Sequence, residues 1–156
     1  MKILVVYHTL SGNTEKVANT LADRLSKNHE VTLKRLEPVG RYNHFHVFLA
    51  LAGLKVPIRP LDVEPLGYDA ICLGCPVWAG SPTPAVNAFI DGLELKGVVY
   101  PFVTCAAPTT GALKKMTSRL ERKGLKVGAS AFVSFPPKSL PKMEGIEGLA
   151  GRVAQE

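Results

Sequence analysis

The sequence predicts a doubly wound α/β fold, five parallel strands in one sheet with helices on both faces. Three observations carry this. Apolar, strand-like runs alternate with amphipathic, helix-like stretches along the 156 residues. Several runs are nearly continuously apolar, as strands covered on both faces are. Each crossover is short, which fits a sheet wound in both directions. With 46% apolar residues, 1–156 reads as a single domain around one core.

The first strand is ILVVY, 3–7. A helix follows over about 13–27, with Val17, Leu21 and Leu25 on one stripe. VTLKRL, 31–36, alternates and suits an edge strand. RYNHFHVFLALAGLKVPIRP, 41–60, occupies the second crossover. It is apolar around most of a helix (Phe45, Val47, Phe48, Leu49, Leu51), more than one buried face needs. Either the helix sinks into the core, or it carries a second burial surface such as a homodimer contact or a lid.

AICLGC, 70–75, is the third strand. Thr83 and Pro84 open a helix as N-cap and first-turn proline, with Val86, Phe89 and Ile90 inward. VVYPFVTC, 98–105, is the fourth strand. Leu113, Met116 and Leu120 stripe a further helix that Gly124 ends. ASAFVSF, 129–135, is the fifth strand. Ile146, Leu149 and Val153 have helical spacing, against which Gly145, Gly148 and Gly151 weigh.

Charge and cysteines narrow the function classes. Net charge is +6, concentrated in KKMTSRLERKGLK, 114–126. That run is a solvated helix face or, more sharply, a docking surface for an acidic partner. No aromatic residues interleave with it, so nucleic acid is not expected. The longest apolar stretch, 47–54, falls short of the roughly 18 residues of a membrane span. MKILVVYH does not read as a signal peptide, and with three cysteines that cannot all pair it points to a cytoplasmic protein. Cys72 and Cys75 spell C-x-x-C along a strand, where they face opposite ways and make no redox dithiol. His44 and His46 lack a third ligand, so no metal site is expected.

In such sheets ligands bind at the carboxyl ends of the strands, which selects the loops 8–14, 75–83 and 105–111. The first offers the hydroxyls of Thr9, Ser11 and Thr14, the permissive Gly12, and a helix start whose free N–H groups attract anions. It contains no Lys or Arg, so a phosphate there would be held by neutral donors. It is neither a Walker loop nor a GxGxxG fingerprint. The plainer alternative is Ser11 or Asn13 acting as a helix cap. The second loop carries the only tryptophan, Trp78, between Pro76 and Pro82, in a place that favours packing on a ligand over packing on the core. The third, TCAAPTTGAL, is small and polar, a wall for backbone contacts. Phosphate cradle, aromatic platform and backbone wall together describe a mononucleotide with a planar head.

Thr9-Leu10-Ser11-Gly12-Asn13-Thr14 and Pro76-Val77-Trp78-Ala79-Gly80 resemble the phosphate loop and the P-x-W/Y-x-G loop of the flavodoxin-like family. The resemblance runs from Met1 to about Phe135. It implies strand order 2-1-3-4-5, non-covalent FMN, and electron transfer or flavin-dependent reduction. It assigns the phosphate to Thr9, Ser11, Asn13 and Thr14, with Leu10 and Gly12 completing the loop. Pro76, Val77, Trp78, Ala79 and Gly80 border the isoalloxazine; Thr104, Cys105, Ala106 and Gly111 line its other side. No catalytic side chain is required.

Two features depart from the electron-shuttling members. This chain is basic where they are typically acidic, and it has Ala106 and Ala107 where many have a tyrosine over the flavin. The leading reading is an FMN-binding redox protein passing electrons between protein partners. The alternative is an FMN-dependent NAD(P)H reductase of quinones or similar acceptors. A non-catalytic module without FMN is the reading from another class. A phosphorelay receiver is rejected, because Cys75 and His8 stand where it needs acidic residues.

Overall fold

Strands β1 (Lys2–Tyr7), β2 (Glu30–Arg35), β3 (Ala70–Pro76) and β4 (Val98–Cys105) form close to where the sequence places them. The computed structural model describes residues 1–106, 111–135, 141 and 143–155. The predicted fifth strand, 129–135, contains β6 (Ala131–Ser134), while a two-residue β5 (Lys126–Val127) forms just before it; each pairs in parallel with β4. Gly128 sits at the break. A Cβ there would lie 2.4 Å from the Tyr100 ring, so the chain passes too close for any side chain.

The strand order is β2-β1-β3-β4-β5, all parallel, as the resemblance implies. β2 is at the edge and half-buried along both faces, without the clean alternation its sequence suggests. β1, β3 and β4 are buried almost throughout, which is why their sequences are apolar on both faces.

Helices α1 (Asn13–Leu25), α2 (Phe45–Leu51), α3 (Pro84–Gly92), α4 (Gly111–Arg122) and α5 (Glu144–Val153) complete the fold. One core packs α1 and α5 on Ile3, Val5, Cys72 and Phe102. The other packs α3 and α4 on Leu4, Val6, Leu73 and Cys75. Cys72 and Cys75 therefore face opposite sides of the sheet, and burial pushes both thiols up to about 12. Neither ionises near neutrality.

Two helices differ from expectation for physical reasons. α5 forms despite its glycines, with Ile146, Leu149 and Val153 fully buried. A Cβ on Gly145 would stand 2.5 Å from the Phe132 carbonyl oxygen, so this glycine permits close helix–strand packing. α2 is short and buries only Ala50, while Phe45, Val47, Phe48 and Leu51 are exposed. The helix is not sunk in the core. The segment is tethered through backbone carbonyls: Asn87 Nδ2 donates to Leu54 O at 2.9 Å and Arg119 Nη1 to Gly53 O at 2.8 Å. Among the described residues no helix is long and apolar enough to cross a membrane.

Candidate functional site

The carboxyl ends of β1, β3 and β4 bring the first two predicted loops to the root of the third, whose residues 107–110 lie outside the described ones, and one residue at that root joins them. Thr104, at the end of β4, accepts a 3.0 Å hydrogen bond from the Val77 N–H of the second loop through its carbonyl. Its hydroxyl lies 2.8 Å from the Thr14 hydroxyl of the first loop, and both side chains are buried. Each hydroxyl carries one proton, and one proton serves the shared bond. The other remains to be donated to a third acceptor.

The first loop closes on itself. Thr9 Oγ1 accepts from the Gly12 N–H at 3.0 Å, and Gly12 takes φ +86°. Gly12 is the N-cap of α1, and no side chain caps that end. Neither Ser11 nor Asn13 fills the capping role, so the plainer alternative is not realised. Ser11 is exposed and Asn13 half-buried, while Leu10 is 65% exposed at the tip. An uncapped 13-residue helix leaves first-turn N–H groups and its positive dipole end for an anion.

The structure revises one expectation here. The loop itself holds no cation, but the β1–β2 register sets Arg35 opposite Tyr7, and Arg35 Nη2 donates to Thr9 O at 3.4 Å. Residue spacing could not reveal this, because the guanidinium arrives from the neighbouring strand. A phosphate in the cradle would feel a nearby positive charge as well as neutral donors.

In the second loop, the Trp78 N–H donates to Ser81 O and the Ser81 N–H to Trp78 O, both at 2.9 Å. Ala79 (φ +48°) and Gly80 (φ +69°) are both left-handed, the pattern of a two-residue I′ turn. Gly80 adopts this freely, whereas Ala79 is strained by roughly 1–2 kcal/mol. Ala79→Val is expected to destabilise the protein by about 1–2 kcal/mol in urea unfolding, with Ala79→Gly within about 1 kcal/mol of the parent. Lys115 of α4 pins the turn, donating to Ser81 Oγ at 2.6 Å. Pro76 and Val77 lead into it, half-buried.

Trp78 packs against residues that sequence patterning did not flag. Its ring is 5.1 Å from Tyr42 at 89° and 5.7 Å from His8 at 80°. Tyr42 also meets His8 and His46 edge-on or tilted. A cavity of about 280 Å³ opens between Leu10, Tyr42, Val47 and Trp78, large enough for a fused ring. His8 Nδ1 and Tyr42 Oη are buried without hydrogen-bond partners among the described residues, while Thr83 lies against the buried Cys75 thiol. Thr83 is the N-cap of α3 by position, yet its hydroxyl makes no capping bond. Burial raises the Tyr42 phenol; the Ala85 N–H opposes this, although outside hydrogen-bond geometry. Cys105 is half-buried and Ala106 exposed, and Gly111 starts α4. Ala107, the other residue standing where many members have a tyrosine, lies outside the described residues.

His8 makes the site pH-sensitive. Burial first, and the Arg35 charge second, lower its imidazole from 6.5 to about 4. The folded state therefore holds His8 neutral while the unfolded chain protonates it. Stability should be full above pH 6.5 and fall by about 3 kcal/mol as pH drops to 4. The Asp91 loss belongs to a lower window, because the Arg119 guanidinium and then Lys55 hold that carboxyl at about 2. Urea midpoints from pH 7 to 4 should flatten in His8→Gln. An unchanged slope would contradict the assignment.

Residues 1–125 match the family described as NADPH-dependent FMN reductase. The fold is similar to that of a flavoprotein crystallised with FMN from Lactobacillus acidophilus NCFM (24% identity, 84% of this chain, 92% of that one, TM-score 0.73). It is also similar to oxidised flavodoxin 2 from Bacillus cereus (25% identity, 99% of each chain, TM-score 0.67). A flavodoxin from Streptococcus pneumonia TIGR4 superposes over 99% of each chain at 16% identity, with TM-score 0.69. The chain belongs to the NADPH-dependent FMN reductase family and is an FMN-binding redox protein on a flavodoxin-like fold.

Proposed function

We propose that this chain, acting as one domain, is an FMN-dependent reductase that takes electrons from NADPH and passes them to a quinone or a similar acceptor. The observation that carries the reading is the family match over residues 1–125, read with the joined loops at Thr104. The residues present fit FMN. The uncapped start of α1, with Ser11, Asn13 and Thr14 at its mouth, suits the phosphate. The orphaned His8 Nδ1 and Tyr42 Oη suit the polar edge of a ring seated near Trp78.

FMN, when bound, accepts a hydride and returns electrons singly or in pairs. The protein's part is to hold and surround it. Thr9, Ser11, Gly12, Asn13 and Thr14 anchor one end, and Arg35 adds attraction. Pro76, Val77, Trp78, Ala79 and Gly80 border the ring on one side, with Thr104, Cys105, Ala106 and Gly111 on the other. His8 stays neutral above its lowered pKa and so presents no charge to the ring at pH 7.

Full-length similarity to B. cereus flavodoxin 2 supports the second reading, an electron carrier between proteins, for which the basic α4 face suits an acidic partner. Stopped-flow mixing of the FMN-loaded protein with NADPH separates the two. Flavin bleaching, followed by reoxidation with a quinone, is expected for the reductase. No bleaching by NADPH would leave the carrier.

The exposed Phe45, Phe48 and Leu54 beside the site favour a homodimer through 41–60. Sedimentation should give a dimer that Phe48→Asp converts to monomer. A cytoplasmic location is the accompanying expectation.

A further inference from the structure

A second cleft, of about 520 Å³, lies away from the phosphate loop on the flank of α4. Lys115, Ser118, Arg119 and Arg122 fall at i, i+3, i+4 and i+7 on one helical face that lines it, and Lys114 joins them at the rim. The opposite wall is the end of α2, Ala50 to Gly53, with Pro82. Among the described residues no carboxylate lines it. Arg119 is held in place by two 2.8 Å bonds to Asp91, which Lys55 also neutralises at 3.3 Å. Among the described residues Lys114, Lys115 and Arg122 have no acidic partner. The cleft is therefore positive on one side and apolar on the other.

Its position ties it to the redox site. Lys115 donates to Ser81 Oγ, so the upper end of the cleft touches the Trp78–Ser81 turn. Arg122 lies two helical turns below, roughly 10 Å away at 1.5 Å per residue. A ligand filling this space needs an anionic group, an apolar or aromatic body, and length enough to reach the turn. The size is that of small-molecule sites, commonly about 300–1,000 Å³.

We propose that this cleft takes the 2′-phosphorylated adenosine end of NADPH, with the rest of the dinucleotide running past Lys115 toward the Trp78–Ser81 turn. The inference rests on the reductase reading for its choice of nucleotide. The 2′-phosphate pairs with Arg122 at the lower end, Lys114 adds positive charge at the rim, and adenine lies against Leu51 and Pro82. Arg119 is a positioning residue, fixing the helix face through Asp91.

The test uses the FMN-loaded protein and adenosine 2′,5′-bisphosphate as probe, with 5′-AMP as the control lacking the 2′-phosphate. Calorimetric titration should show saturable 1:1 binding at least about ten-fold tighter than 5′-AMP, the worth of one charge-assisted contact. The exposed pair Lys114→Gln/Arg122→Gln should lose that advantage and keep its FMN affinity. In stopped-flow, the same variant should lose the parent's preference for NADPH over NADH. Equal affinity for both probes, no binding, or an unaltered variant would overturn the cleft assignment. Binding of polyglutamate with no binding of the bisphosphate would overturn it in favour of an acidic protein. If neither nicotinamide nucleotide bleaches the flavin, the reductase reading fails, and the bisphosphate titration still judges the cleft by itself.

Discussion

Thr14→Val is expected to weaken FMN binding by roughly 10- to 100-fold while changing riboflavin affinity much less. Valine keeps the volume of threonine and removes the hydroxyl. The buried Thr14–Thr104 pair loses its 2.8 Å bond, and the phosphate loses a charge-assisted donor worth about 1.5–3 kcal/mol. Thr104 is left with a buried, unshared hydroxyl, so stability should also drop by about 1–2 kcal/mol. Thr104→Val separates the two effects, because its carbonyl still holds the Val77 N–H. Fluorescence titration with FMN and with riboflavin, at fixed ionic strength, reads the difference. Equal losses for both ligands would mean that Thr14 supports the loops without meeting the phosphate.

Gly74→Ala is expected to give the largest loss of stability. Gly74 lies in the middle of β3 opposite Phe102 of β4, and a Cβ there would stand 2.0 Å from the Phe102 ring. Phe102 is fully buried and has nowhere to go. Overpacking of this kind costs about 1–3 kcal/mol and sometimes more, and this contact is at the severe end. β3 and β4 also set the spacing of the Trp78 and Thr104 loops, so FMN affinity should fall together with stability. Urea unfolding of Gly74→Ala and of Gly74→Ala/Phe102→Leu tests the cause: the smaller side chain should recover part of the loss. No recovery would place the strain elsewhere.

The sheet was legible because β1, β3 and β4 are buried on both faces and their sequences must be apolar throughout. The loops at their carboxyl ends were legible for a topological reason, since that is where a parallel sheet presents its ligands. What sequence could not show depends on contacts between distant residues. Thr14 and Thr104 are 90 positions apart and meet only through the β1–β3–β4 order. Arg35 reaches the first loop through a strand register, and Tyr42 reaches Trp78 from a segment notable only for its apolar neighbours. Gly145 weighs locally against a helix, and Gly128 stands just before the predicted fifth strand. Their meaning is tertiary, a backbone approach with no room for Cβ. The apolar excess in 41–60 was visible, but only the fold shows that it points outward.

If the loops joined at Thr104 form one site for a phosphorylated flavin, the phosphate must contribute to its affinity. Titrating the flavin-free protein with FMN and with riboflavin, followed by flavin fluorescence and the visible spectrum, tests it most directly. FMN should bind 1:1 with Kd below about 1 µM, and riboflavin at least about ten-fold more weakly. No binding of FMN at that concentration, or riboflavin binding as tightly as FMN, would contradict it.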